Sequence, residues 1–123
     1  MQAYVDMNMI GAGLEKASIV GHDGSVKGCS PGFQLQPQEV SAIIAAFDDA
    51  LDIRMNGILL EGAKYYVLGF DGRSVYGKKG SGGVSCFKTT QHVLIGVHTE
   101  SREPDAAVAI VSNLADYFIE QGQ

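Results

Sequence analysis

The stretch from Ser74 to His98 reads SVYGKKGSGGVSCFKTTQHVLIGVH. Three runs rich in β-branched and aromatic residues alternate here with a Gly-rich break and a Thr-rich break. The pattern predicts strands over Ser74–Lys78, Val84–Thr89 and His92–His98, joined by connections too short for a crossover and therefore antiparallel. Upstream, Gly57–Leu60 with Lys64–Gly69 reads as one interrupted stretch that adds a further strand. Nearer the start, Ala17–Gly21 and Val26–Cys29 flank His22-Asp23-Gly24-Ser25. An Asp-Gly pair between two strand-like runs is a hairpin signal, with φ > 0 expected at both central positions. The sheet should therefore hold about six to seven strands.

Helical signals lie on either side of these runs. In residues 2–10, Val5 and Met9 stand four apart, and Gly11-Ala12-Gly13 ends the segment. Pro37–Phe47 places Val40, Ile43, Ile44 and Phe47 on one face, and Pro37 suits a first turn, where its missing N–H costs nothing. Asp48–Met55 reads as irregular or as a short helical turn. The last helix spans about 105–120, with Asp105 as its N-cap and Gly122 where it should stop. Its core stripe is Val111, Leu114, Ala115 and Phe118, beside a second stripe of Ile110, Leu114 and Tyr117. The fold class is α+β: one central antiparallel sheet with helices at both ends of the chain. No linker or repeat interrupts the chain, so residues 1–123 form a single domain.

Nine basic and fourteen acidic residues give a net charge of −5, which argues against a general nucleic-acid binder. The charge is unevenly placed. Between Asp71 and Glu100 there is no acidic residue, while that window holds Arg73, Lys78, Lys79 and Lys88. A local basic face is expected despite the acidic total. Cys29 and Cys86 are too few for a disulfide scaffold, and no Cys/His spacing suggests a metal. The start of the chain lacks a basic, apolar leader, so a cytoplasmic protein with free thiols is expected.

No catalytic constellation emerges. Gly77 to Gly83 has the glycines of a phosphate loop, but no Lys-Ser/Thr follows and a strand comes next. The stretch reads instead as a mobile hairpin tip with two solvated lysines, or as a basic tip that meets an acidic surface. His92 and His98 share a strand face about 20 Å apart, too far for one metal, and the three histidines read as surface or strand-end residues. Glu61 and Asp71 have no convergent partner. Tyr4 and Tyr117, on the terminal helices, read either as packing tyrosines or as an aromatic groove suited to a proline-rich segment.

Four segments together resemble one known family. They are Gln2-Ala3-Tyr4-Val5-Asp6, Ile19 to Val26, Ser74 to Gly83, and Leu114 to Gly122. Their order and content are similar to those of profilins, nearer the amoeboid and plant branches than the animal branch. The resemblance implies a curved sheet with the N- and C-terminal helices packed together on one face and further short helices on the other. It implies a non-enzymatic regulator, without cofactor or metal, that binds monomeric actin and promotes exchange of actin's nucleotide. It also implies binding of the proline-rich segments of formin-like proteins and of phosphoinositides. A monomeric, cytoskeleton-associated protein is expected.

Carried onto this chain, the actin-binding residues would be Arg73, Ser74, Tyr76, Lys78, Lys79, Lys88, Ala106 and Ala107. The phosphoinositide site would be Arg73, Lys78, Lys79 and Lys88. The polyproline site would be Met1, Tyr4, Lys27, Leu114 and Tyr117. This sequence departs from the family there, because it contains no Trp. Met1 and Lys27 stand where the resemblance places tryptophans, so polyproline binding is expected to be weak. Two other classes of function compete: a ligand-sensing domain with an internal pocket, and a scaffold that keeps the fold without actin activity.

Overall fold

A computed structural model describes residues 1–123. Seven strands form one antiparallel sheet. They are β1 (Lys16–Gly21), β2 (Val26–Cys29), β3 (Ile58–Leu60), β4 (Ala63–Phe70), β5 (Ser74–Lys79), β6 (Gly82–Lys88) and β7 (His92–His98), in the spatial order β2-β1-β7-β6-β5-β4-β3. The β4–β7 meander is as the sequence reads. The N-terminal hairpin joins it through β1 and β7, which pair from Lys16 opposite Val97 to Gly21 opposite His92.

Four helices cover the sheet. A short α1 (Gln2–Tyr4) runs on as a π-helical segment, Val5–Ile10; α2 is Pro37–Ala46, α3 is Leu51–Asn56 and α4 is Pro104–Glu120. The sheet divides two apolar cores. On one face Val5, Met9, Leu14, Leu94, Val111, Leu114 and Phe118 join the terminal helices to the sheet. On the other, Val40, Ile43, Phe47, Ile53, Val75, Val84 and Ile95 do the same for α2 and α3. Glycine sets how closely α4 approaches: a Cβ on Gly96 would come within 2.6 Å of a Val111 methyl.

Several local expectations change. The stretch 57–69 is not one interrupted strand but a hairpin, with Leu60 opposite Ala63. Its two-residue turn has φ 53 at Glu61 and φ 80 at Gly62, the left-handed pair that tight hairpins need. Glu-Gly is a poor turn signal. A tertiary contact supplies what it lacks: the buried Glu39 carboxylate accepts N–H bonds from Glu61 at 3.0 Å and Gly62 at 2.8 Å, and from Gln36 at 2.8 Å. At the first hairpin only Gly24 is left-handed, with φ 88, while Asp23 is not. The Asp23 carboxylate instead accepts bonds from the Ser25 N–H and hydroxyl.

The 48–55 segment yields a true helix, α3. The N-cap of α4 is Glu103 rather than Asp105, because Pro104 takes the first helical position, where its fixed φ fits and no N–H is needed. His92 and His98 stand at the two ends of β7, as one of the two readings had it, but they are buried, each only 7% exposed. His92 lies against the Phe118 ring, with centroids 5.7 Å apart, and its Nδ1 bonds the Gln123 carbonyl. Glu61, read as lacking a partner, pairs with Lys16 at 2.7 Å.

Candidate functional site

Two surfaces stand out. The first is a cleft of about 530 Å³ between the terminal helices, lined by Tyr4, Asn8, Ala12, Ile110, Asn113, Leu114 and Tyr117. The tyrosines meet because Val5 and Met9 on one helix, and Leu114 and Phe118 on the other, bury adjoining stripes in one core. Their ring centroids are 6.2 Å apart, and Tyr4 also packs edge-on to Phe118 at 5.0 Å. The facing Tyr117 hydroxyl holds the Tyr4 phenol above its ordinary 10.0.

Of the residues expected here, Tyr4, Leu114 and Tyr117 converge in the cleft. Met1 and Lys27 are not among its walls. Met1 packs partly buried against the terminal-helix core, and Lys27 is exposed on β2. The residues that extend the cleft are Asn8 and Ala12 on one side and Ile110 and Asn113 on the other. The Ile110, Leu114, Tyr117 stripe was readable in the sequence. Asn8 and Ala12 were not, because their approach to α4 depends on how two helices far apart in sequence pack on one sheet.

The second surface is the β4–β5 side of the sheet. Alternation along β5 sends Tyr76 and Lys78 toward the α4 side, and Lys79 toward the α2 side with Val75 and Gly77. The same alternation on β6 puts Lys88 on the α2 side, beside His22, Phe47 and Asp48. The expected basic residues therefore do not form one patch. Arg73 is ion-paired with Asp116 of α4 and lies 5.5 Å over the Phe87 ring. Ser74 is buried, with its hydroxyl bonded to the Asp71 carboxylate at 2.8 Å, and Ala107 lies on the buried face of α4. Neither offers surface to a partner, while Ala106 does.

What sequence reading missed is the exposed apolar content of β4. Tyr66 and Leu68 are 66% and 68% exposed. The β4–β5 register slips between Val67 and Gly69, a bulge centred on Leu68. Leu68 joins Tyr76, Lys78, Ser85, His98, Pro104 and Val108 around a pocket of about 390 Å³. The signal was available: β4 is apolar on both faces, yet only one can lie on the α2–α3 core. Contiguous exposed apolar residues mark interaction surfaces.

Neither surface resembles a catalytic centre. Cys86 is wholly enclosed, and burial pushes its thiol up to about 12, so it is no nucleophile. No three His, Cys, Asp or Glu side chains are grouped so as to hold a metal ion.

Comparison with known proteins agrees with this architecture. A family model described as Profilin matches residues 1–123. Profilin-2 of Acanthamoeba castellanii is 48% identical over 122 residues, covering 98% of this chain and 97% of its own. Profilin-A of Physarum polycephalum is 43% identical with the same coverage. The crystal structure of Acanthamoeba castellanii profilin II superposes with a TM-score of 0.96 at 47% identity, covering 99% and 98% of the two chains. Mouse profilin IIa, solved with a double repeat from the FH1 domain of mDia1, shares the fold at a TM-score of 0.80 and 22% identity, covering 99% and 98%. On the full-length family match and these identities, the chain belongs to the profilin family.

Proposed function

We propose that this protein binds actin monomers through its β4–β5 face, restrains their spontaneous polymerisation and speeds release of the nucleotide that actin holds. Profilins are actin-binding regulators, and polyproline and phosphoinositide binding are typical of the family. The observation that carries the reading for this chain is the exposed Tyr66 and Leu68 beside the half-buried Tyr76 and Val108, with Lys78 at their edge. Apolar contact there would anchor the complex. Lys78 would chiefly raise the association rate and its salt sensitivity. Faster nucleotide release would follow from tighter binding to an open form of actin than to a closed one, since a ligand shifts an equilibrium only by differential affinity.

Proline-rich binding is the weaker half of the proposal. The tyrosine cleft is the natural seat for a polyproline helix. Without two tryptophan platforms it would lose about 2–4 kcal/mol, or about 30- to 1,000-fold in affinity. Anionic lipid binding would also be weak, because Arg73, Lys78, Lys79 and Lys88 stand on different faces and cannot act as one patch. A monomeric cytoplasmic protein acting without turnover of its own fits this reading.

The deciding experiment is titration into monomeric actin at two salt concentrations, following polymerisation and nucleotide release. Slower nucleation with faster release is the expected result. No change in either, with folded protein in excess, would overturn the proposal.

A further inference from the structure

Two side-chain nitrogens are enclosed without a hydrogen-bond partner, Arg102 Nε and His98 Nδ1, and only the second belongs to a pocket on the β4–β5 face. His98 is 7% exposed, yet its ring makes no hydrogen bond. Buried polar atoms are nearly always satisfied, so such an exception calls for an explanation. His92, at the other end of the same strand, shows the ordinary outcome, with its ring nitrogen bonded to the Gln123 carbonyl.

The surroundings of His98 are built to hold it. Strand pairing aligns Tyr66, Lys78, Gly83 and His98 in one row across β4, β5, β6 and β7, on the α4 side of the sheet. Gly83 leaves room for the imidazole: a Cβ there would come within 2.9 Å of His98 Cε1. The ring forms part of the wall of the pocket that Leu68, Tyr76 and Val108 rim, with Lys78 and Ser85 beside it. No carboxylate lines this pocket. Burial lowers the His98 pKa from its ordinary 6.5, so the ring is neutral near pH 7. An enclosed N–H without an acceptor is the costlier orphan, so the proton belongs on Nε2 and Nδ1 is left bare. The pocket therefore combines an imidazole N–H, an ammonium and a hydroxyl under an apolar rim.

We infer that His98, Lys78 and Ser85 form an anchor pocket that receives one acidic side chain of the docked protein, with its aliphatic stem between Leu68, Tyr76 and Val108. The inference rests on the reading of this face as the partner surface and names the chemistry that the partner must present. Charge complementarity selects the occupant: donors and a cation line the pocket, and nothing there would repel a carboxylate. A carboxylate accepting from such groups forms charge-assisted hydrogen bonds, stronger than neutral ones.

Two measurements test it. In the free protein, the His98 ring resonances are followed by NMR while propionate, a carboxylate with a short apolar stem, is added, with propionamide as the control. A saturable shift at His98 with propionate alone is expected. A ring that stays still while propionate binds nowhere or elsewhere overturns the pocket. In parallel, actin affinity is measured for His98→Leu and His98→Gln. Leucine should lose about tenfold or more, the value of a hydrogen bond to a charged group, while glutamine restores most of it by replacing the Nε2 donor. Wild-type affinity in His98→Leu, or an equal loss in both variants, overturns the inference. If the wild-type protein itself does not bind actin, the partner reading fails, and the propionate titration alone decides the pocket.

Discussion

Gln2 and Cys29 hold each other through a closed pair of hydrogen bonds: the Gln2 amide donates to the Cys29 carbonyl at 2.8 Å, and the Cys29 N–H donates to Gln2 Oε1 at 3.0 Å. The side-chain amide thus does for β2 what a neighbouring strand would do. It satisfies the Cys29 backbone at the open edge of the sheet and ties the N-terminal helix, which carries Tyr4, to that edge. Gln2→Ala should lower stability by about 1 kcal/mol, given that each bond is exposed and worth about 0.5–1.5 kcal/mol. It should also speed amide exchange at Cys29. Urea unfolding and exchange measured on the same samples check both.

The β4–β5 face should carry its energy in apolar contacts. Leu68→Ala and Tyr76→Ala are each expected to weaken actin binding by about 2 kcal/mol or more, the range of well-packed interface anchors. Leu68→Ala should barely change the unfolding midpoint, since the side chain is already exposed. Lys78→Ala should instead slow association a few-fold and flatten its salt dependence. Stopped-flow association at two ionic strengths separates the two effects.

Arg73 and Asp116 tie the β4–β5 turn to α4, but both side chains are half exposed, at 45% and 56%. A double-mutant cycle should give a coupling below about 1 kcal/mol, falling further in high salt. A larger, salt-insensitive coupling would mean that the pair is held more rigidly than its exposure implies.

Restoring aromatic platforms tests the proline-rich reading. Met1→Trp with Lys27→Trp should tighten binding of an oligoproline peptide by about 2–4 kcal/mol. Calorimetric titration of both proteins measures it. Because Lys27 lies on β2 outside the present cleft, unchanged affinity would show that the groove ends at Tyr4 and does not reach the sheet edge.

Acid should weaken the fold in two stages with opposite chemical origins. The buried His98 ring has a pKa below its unfolded 6.5, so the folded state binds fewer protons there. Its contribution is complete above pH 6.5 and is lost as pH falls from that value toward the folded pKa. The Ser74 hydroxyl and N–H hold the Asp71 carboxyl below its usual 3.8, with the Arg73 N–H adding to them. That contribution is present above pH 3.8 and is lost as pH falls through the folded pKa. Urea midpoints between pH 8 and 3 should show the first loss vanish in His98→Gln and the second in Asp71→Asn.

Much of the protein is legible in its sequence because the signals are local. The β5–β7 meander, the apolar stripe of α2 and the Val111–Phe118 stripe of α4 each follow from periodicity over a few residues. So do the aromatic pair Tyr4 and Tyr117, which share stripes with known core positions. The absence of tryptophan is written outright. What only the tertiary structure decided is where distant segments supply each other's missing groups. The Glu61-Gly62 turn closes because Glu39, more than twenty residues earlier, offers its carboxylate to that turn's N–H groups. Lys78 and Lys79, adjacent in the chain, part to opposite faces because a strand alternates. The apolar outer side of β4 stays uncovered because both helix pairs are already committed to cores elsewhere. The His98 ring fits against β6, its Nδ1 enclosed without a partner, because Gly83 on the neighbouring strand has no side chain to occupy that space. Burial is a property of packing, summed over contacts far apart in sequence, and no window of residues contains it.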